Sequence, residues 1–358
     1  TTLFRSTSGQ LGDNTSVDKS SPVQTVSGGT NWVQVSISGH SAAIKTDNTL
    51  WLWGSNGSGQ LGDNTRVDKS SPVQTVSGGT NWKQVSCGPV HAAAIKTDGT
   101  LWMWGDNTNG QLGDNTVASK SSPVQTVSGG TNWKQVSTSG STYDFTAAIK
   151  TDGTLWMWGE NNFGQLGDNS ITDKSSPVQT VSGGTNWKQV SCGSGHTSAI
   201  KTDGTLWSWG SGTTGTMGNN AASNRSSPVQ TISGGTNWKQ VSAGTDMTAA
   251  VKTDGTLWLW GAGAFGVLGN NAITNRSSPV QTVSAGTNWK QVDAGDYIVG
   301  SVKTDGSLWT WGLGTTGQLG DNSVTSKSSP VQTVAGGTNW KQVVTGSTRA
   351  AAVTYTES

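Results

Sequence analysis

Three histidines, His40, His91 and His196, each stand four residues before an isoleucine (Ile44, Ile95, Ile200), so they occupy one position of a recurring segment. Imidazoles gathered in one ring are candidate metal ligands. Other copies hold Phe145, Met247, Ile298 and Arg349 at that position, so a structural hydrogen-bonding role is expected for the histidines. Carboxylates recur as well, with Asp13, Asp63, Asp114, Asp168 and Asp321 in loops reading Gly-Gln-Leu-Gly. A general acid, a base or a metal ligand depends on its charge. Two copies nevertheless carry Asn219 and Asn270, an exchange that suits a loop acceptor for backbone N–H groups. Asp106-x-Thr108-x-Gly110 resembles the start of a calcium loop but lacks the later bidentate acid. Cys87 and Cys192 share one position in two non-adjacent copies, where a mutual disulfide has no suitable geometry, and both are expected as small core residues. No Ser or Cys has a His and an acid at motif spacing, and the glycines of SGGTNW precede neither a Lys nor a helix that could hold a phosphate. No catalytic residue, cofactor or metal site is therefore expected.

The elements that position these residues repeat. The proline of SPVQT recurs at 22, 72, 123, 177, 228, 279 and 330, and the tryptophan of TNW at 32, 82, 133, 187, 238, 289 and 340. Six LWxWG motifs supply the remaining 12 of 19 tryptophans, leaving none for a special site. Short runs bounded by Gly, Asn and Asp-Gly turns read as strands, and helix signals are absent. In the second copy the four strands are expected at 83–87, 91–96, 101–104 and 124–127, with Asp98-Gly99 as a hairpin turn. Small residues such as Ala92, Ala93 and Ala94 on one strand and Trp102 and Trp104 on the next describe a wedge, which suits sheets that splay outward from an axis.

The expected fold is an all-β, seven-bladed β-propeller in one domain over residues 1–358, with four antiparallel strands per blade. Its ring is expected to close through a blade shared between the termini, from 1–27 plus 341–358. In that blade, 1–5 and 22–26 would supply outer strands and 341–345 and 349–355 inner ones, which removes exposed edges. The net charge is +1, with Lys and Arg spread through the repeats, so no nucleic-acid-binding face is expected. No apolar run approaches the roughly 18 residues of a membrane helix. The first residues lack a signal-peptide pattern, and the missing initiator Met is expected to mark a trimmed chain. A monomer is expected.

The segment QVSCGPVHAAAIKTDGTLWMWGDNTNGQLGDN resembles the repeat of the regulator-of-chromosome-condensation family, and with near-identical copies the chain resembles a bacterial or phage-type member. That resemblance implies a seven-bladed propeller. It also implies functions such as nucleotide exchange on a small GTPase, light sensing, association with ubiquitin ligases or inhibition of β-lactamases, mostly by binding other proteins. The wedge insertion and basic tail that the resemblance implies for exchange are absent; the one insertion is about three residues, within 137–146.

Function must therefore lie where the copies differ. Positions that only build a blade should be alike in each copy, whereas a recognition patch must break that sameness. The corner between the first two strands gathers Tyr143, Asp144, Phe145, Asp246, Met247, Asp296, Tyr297 and Arg349, of which Tyr, Met and Arg are enriched at interfaces. Phe163 and Phe265, in the loops before Gly-Gln-Leu-Gly, rank second. The expected function is non-enzymatic display on the axial face for a protein or glycan partner, on a cell exterior or virion surface. The alternatives are GTPase regulation and a designed or recently amplified propeller without a specific function.

Overall fold

In a computed structural model the described residues are 8–17, 19, 23–26, 31–232, 235–284, 286–346 and 349–354. They form six four-stranded antiparallel sheets and one two-stranded sheet. The second copy is representative: strands Trp82–Cys87, His91–Lys96, Leu101–Gly105 and Lys120–Gln125 pair in chain order. The fourth strand starts four residues earlier than the sequence suggested, because the polar Lys-Ser-Ser run belongs to it. Its residues are half-buried rather than buried, and a polar outer edge discourages pairing with other chains. Pro123 sits inside this edge strand, where its missing N–H is tolerated.

The first strands line the axis and are joined by a belt of glutamines. Gln34, Gln84, Gln135, Gln189, Gln240, Gln291 and Gln342 each donate from Nε2 to a valine carbonyl of the next copy. Each Oε1 accepts the N–H of that same valine. The last link runs from Gln342 to Val35, between the seventh copy and the first, so the inner strands form a closed ring.

That closure corrects the expectation of seven four-stranded blades with one shared between the termini. Six blades are complete, and the seventh copy contributes only Trp340–Thr345 and Ala350–Thr354. Residues 1–5 and Pro22 lie outside the described residues, and within 23–26 Val23 makes an isolated bridge. The seventh copy also differs in its side chains. In each complete blade a lysine is stacked between two indoles, as Lys96 is between Trp82 and Trp102 at 4.8 and 4.6 Å, which ties the third strand to the first. The seventh copy pairs Trp340 with Thr354 instead of a lysine, and the N-terminal stretch has no LWxWG. Lys201→Ala, which removes one such cation from between Trp187 and Trp207, should cost about 1 kcal/mol by urea denaturation.

The core lies between neighbouring sheets. The second tryptophan of each LWxWG is fully buried and donates from Nε1 to a carbonyl in the preceding copy, as Trp209 does to Gln165 at 2.8 Å. The first tryptophan, Trp207 for example, is only half-buried, which the sequence does not distinguish. The glycine ending each Gly-Gln-Leu-Gly loop has positive φ, and a Cβ on Gly167 would lie 2.7 Å from Trp209 Nε1; a side chain is excluded there on both counts.

Candidate functional site

The corner between the first and second strands is closed by the same backbone bond in each copy, as Gly193 N to His196 O and Gly244 N to Met247 O. In the third copy that bond runs from Ser139 N to Phe145 O, so the extra residues form a longer hairpin on an unchanged base. The hairpin lies across the axial opening. Gly140 O accepts the Ser38 hydroxyl of the first copy at 2.7 Å. Thr142 N donates to Ser194 Oγ of the fourth, and Ser141 donates to Asp296 of the sixth. The insertion therefore caps one end of an axial channel lined by Ser86, Ser137, Ser191, Ser242 and Asp293.

Asp293 replaces the serine of other copies and accepts from Thr345 N, Thr345 Oγ1 and Ser242 Oγ. Deep burial raises its pKa to about 6, opposed by those hydrogen bonds. Nothing in the sequence marked it except the broken repeat.

The remaining chemistry-bearing residues have structural partners. Asp63 Oδ1 accepts Thr65 N, Thr65 Oγ1 and Asn56 Nδ2, and its Oδ2 lies 3.7 Å from Lys69. In the Asn copies the backbone acceptor persists, at Ala221 N to Asn219 and Ala272 N to Asn270. Asp106 accepts from Thr108, Gln111 and Ser119, which leaves little carboxylate capacity for calcium. Cys87 and Cys192 are free and buried, and burial pushes both thiols up to about 12. His91 and His196 contact Thr146 and Thr248 of the next copy through Nε2. The second copy has Ala92 at the repeat position of Thr146 and Thr248, and neither ring nitrogen of His40 has a hydrogen-bond partner among the described residues. Among those residues no group of three His, Cys, Asp or Glu is placed to hold a metal.

The eight variable-corner residues separate into two sets. Phe145 and Met247 are 0% and 1% exposed, and Arg349 6%; the first two open their second strands and Arg349 immediately precedes its own, at the repeat position of the histidines. Tyr143, Asp144 and Asp296 are half-buried, and Asp246 and Tyr297 are exposed. The two phenylalanines ranked second join this surface: Phe163 packs edge-on against Tyr143 at 4.9 Å, and Phe265 against Tyr297 at 5.4 Å.

Phe265 is 45% exposed and has φ 57°, a left-handed conformation that is an outlier for a bulky side chain. In five other loops a glutamine two residues on accepts this position's N–H, as Gln165 does from Phe163. The fourth copy has Thr216 and the fifth Val267 there; in the fifth the loop forms a short 3-10 turn, Ala264–Gly266, with the ring against Tyr297. Glu160, unmarked in the sequence, borders the same face and accepts Asp144 N, and burial raises its pKa.

A family model described as the RCC1-like domain matches residues 5–283, and the RCC1 repeat matches 305–353. The Arabidopsis thaliana ultraviolet-B receptor UVR8 is 31% identical over 253 residues, covering 68% of this chain and 56% of the receptor. The human E3 ubiquitin-protein ligase HERC2 is 28% identical, covering 68% of this chain and 5% of the ligase. The chain thus spans about half or less of these curated relatives. Among solved structures, Prp20p from Saccharomyces cerevisiae superposes with a TM-score of 0.85 at 18% identity, covering 99% of this chain and 92% of that one. Human WBSCR16 superposes with 0.83 at 18% identity, covering 99% and 98%. Those likenesses show the shared fold.

Proposed function

The chain belongs to the RCC1-like domain family, and on that premise we propose that it is a non-catalytic scaffold recognising a protein partner through its variable corner face. The observation that carries this is the exposed Phe265–Tyr297 pair with its left-handed Phe265. Backbone strain of this kind costs about 1–3 kcal/mol and is concentrated at functional sites, and a packed edge-on aromatic pair is the kind of anchor that dominates binding energy. The repeats around it supply rigidity, since the belt of glutamines and buried indoles leaves the corners as the adjustable part.

The test is affinity capture with the wild-type chain beside a Phe265→Thr/Tyr297→Thr variant. Both side chains are exposed, so the variant should melt within about 2 °C of wild type yet lose its captured partner by at least about 100-fold. Equal capture by both overturns the reading.

A second reading is regulation of a small GTPase. It draws on the fold shared with Prp20p, a protein with binding properties to Gsp1p and histones. Accelerated release of labelled nucleotide from a panel of small GTPases supports it, and unchanged release across the panel removes it.

A further inference from the structure

Between the third- and fourth-copy corners lies a cavity of about 280 Å³, lined by Tyr143, Phe163, Ser194, Ser211 and Asp246 among others. It exists because the fourth copy has Gly195 where its neighbours have Asp144 and Asp246. A Cβ on Gly195 would stand 3.2 Å from Phe163 Cδ2, 3.3 Å from Ser211 Cβ and 3.4 Å from Tyr143 Cδ2. The insertion supplies one wall: Thr142 is tied to Ser194 Oγ, which holds Tyr143 edge-on to Phe163 at 4.9 Å. The opposite wall ends in Asp246, whose backbone carbonyl accepts Ala262 N and the Thr214 hydroxyl. No hydrogen bond or ion pair is formed by its carboxylate among the described residues, and Asp296 adds a further negative charge nearby. Asp246 keeps solvent access at the cavity rim, yet desolvation by the packed loops around it raises its pKa.

Aromatic rings and an unpaired carboxylate lining one cavity are complementary to a cation on an apolar stem. We propose that this cavity receives a protonated side chain, a lysine ammonium or an arginine guanidinium, presented by the protein partner. The inference rests on the protein-binding reading and adds the chemistry of one contact to it. The stem lies along Phe163 and Tyr143, and the charge meets Asp246.

With three tyrosines and four phenylalanines in the chain, the rings of Tyr143 and Phe163 are resolvable by aromatic-labelled NMR. The full chain is titrated separately with N-acetyl-lysine methylamide, N-acetyl-arginine methylamide, the norleucine analogue and methyl glucoside. One or both cationic probes should shift these two rings, and Asp246→Asn should weaken that binding by roughly tenfold, about 1.4 kcal/mol. Phe163→Leu, which keeps apolar volume but removes the π face, should weaken it as well. Norleucine binding as well as lysine, glucoside binding in place of the amines, or no ring shift with either cation overturns the proposal. If these titrations fail while capture of the partner still depends on Phe265 and Tyr297, only the cavity assignment falls.

Discussion

Trp209→Ala should lower the unfolding free energy by roughly 3–5 kcal/mol, among the largest losses a single core truncation produces. The indole is completely buried, packs at 5.9 Å against Trp187 and satisfies the Gln165 carbonyl. Alanine leaves a cavity between two sheets and removes one of the two donors to the Gln165 carbonyl, which keeps the Thr197 hydroxyl. Trp207→Ala, two residues earlier in the same motif, should cost only about 1–2 kcal/mol, since that ring is half-buried and stacks on Lys201. Guanidinium denaturation of both variants checks the pair, and equal losses would contradict the assigned core.

Acid should destabilise the ring well before its surface carboxylates titrate. Burial, with His91 and Arg349 nearby, lowers His40 from 6.5 to about 3, and burial lowers His196 to about 4. A base whose folded pKa lies below its unfolded value is neutral in the fold and protonates first in the unfolded chain. Its stabilising contribution is complete above about pH 6.5 and is withdrawn as the pH falls towards the folded value. For His40 the window is about 3.5 pH units, or roughly 5 kcal/mol at ~1.4 kcal/mol per unit. Asp293, raised to about 6, acts in the opposite sense between pH 6 and 4, so the difference between variants isolates the histidine. His40→Met, the residue that the fifth copy carries as Met247, should remove most of that acid dependence and also relieve a buried, unpartnered ring. Ala92→Thr, copying Thr146 and Thr248, should give His40 a hydroxyl partner. Melting curves from pH 7 to 4 that are parallel for wild type and His40→Met would contradict this assignment.

The repeat length, the strand types, the Asp-Gly hairpins and the alanine-to-tryptophan wedge were all legible in the sequence, because each is a local pattern stamped many times over. The glutamine belt was not, since Gln84 looks like an ordinary polar residue until the next copy's Val136 is placed beside it. A seventh four-stranded blade was expected from seven prolines and seven TNW tryptophans, but those markers belong to first and fourth strands. Thr354, in place of a stacked lysine, was the sign that the last copy differs. At the site, variance between copies picked out the corners but said nothing of the direction of each side chain. Phe145, Met247 and Arg349 share the position of the histidines, and strand alternation places that position between copies; the same reasoning that made the histidines structural also applies to them. The contacts of Phe163 with Tyr143 and of Phe265 with Tyr297 were not legible, because the aromatic partners come from different loops, in the case of Phe265 from the next copy.

The central claim, that the corner face is the recognition surface, is tested most directly by hydrogen-exchange protection of the chain in complex with its captured partner. Protection should fall on the corners at 139–144, 244–247 and 295–297 and on the 262–266 loop, with the Asp-Gly turns at 98–99, 152–153, 203–204 and 254–255 unchanged. Protection confined to those turns on the opposite side of the sheets, with the corners exchanging as in the free chain, would contradict it.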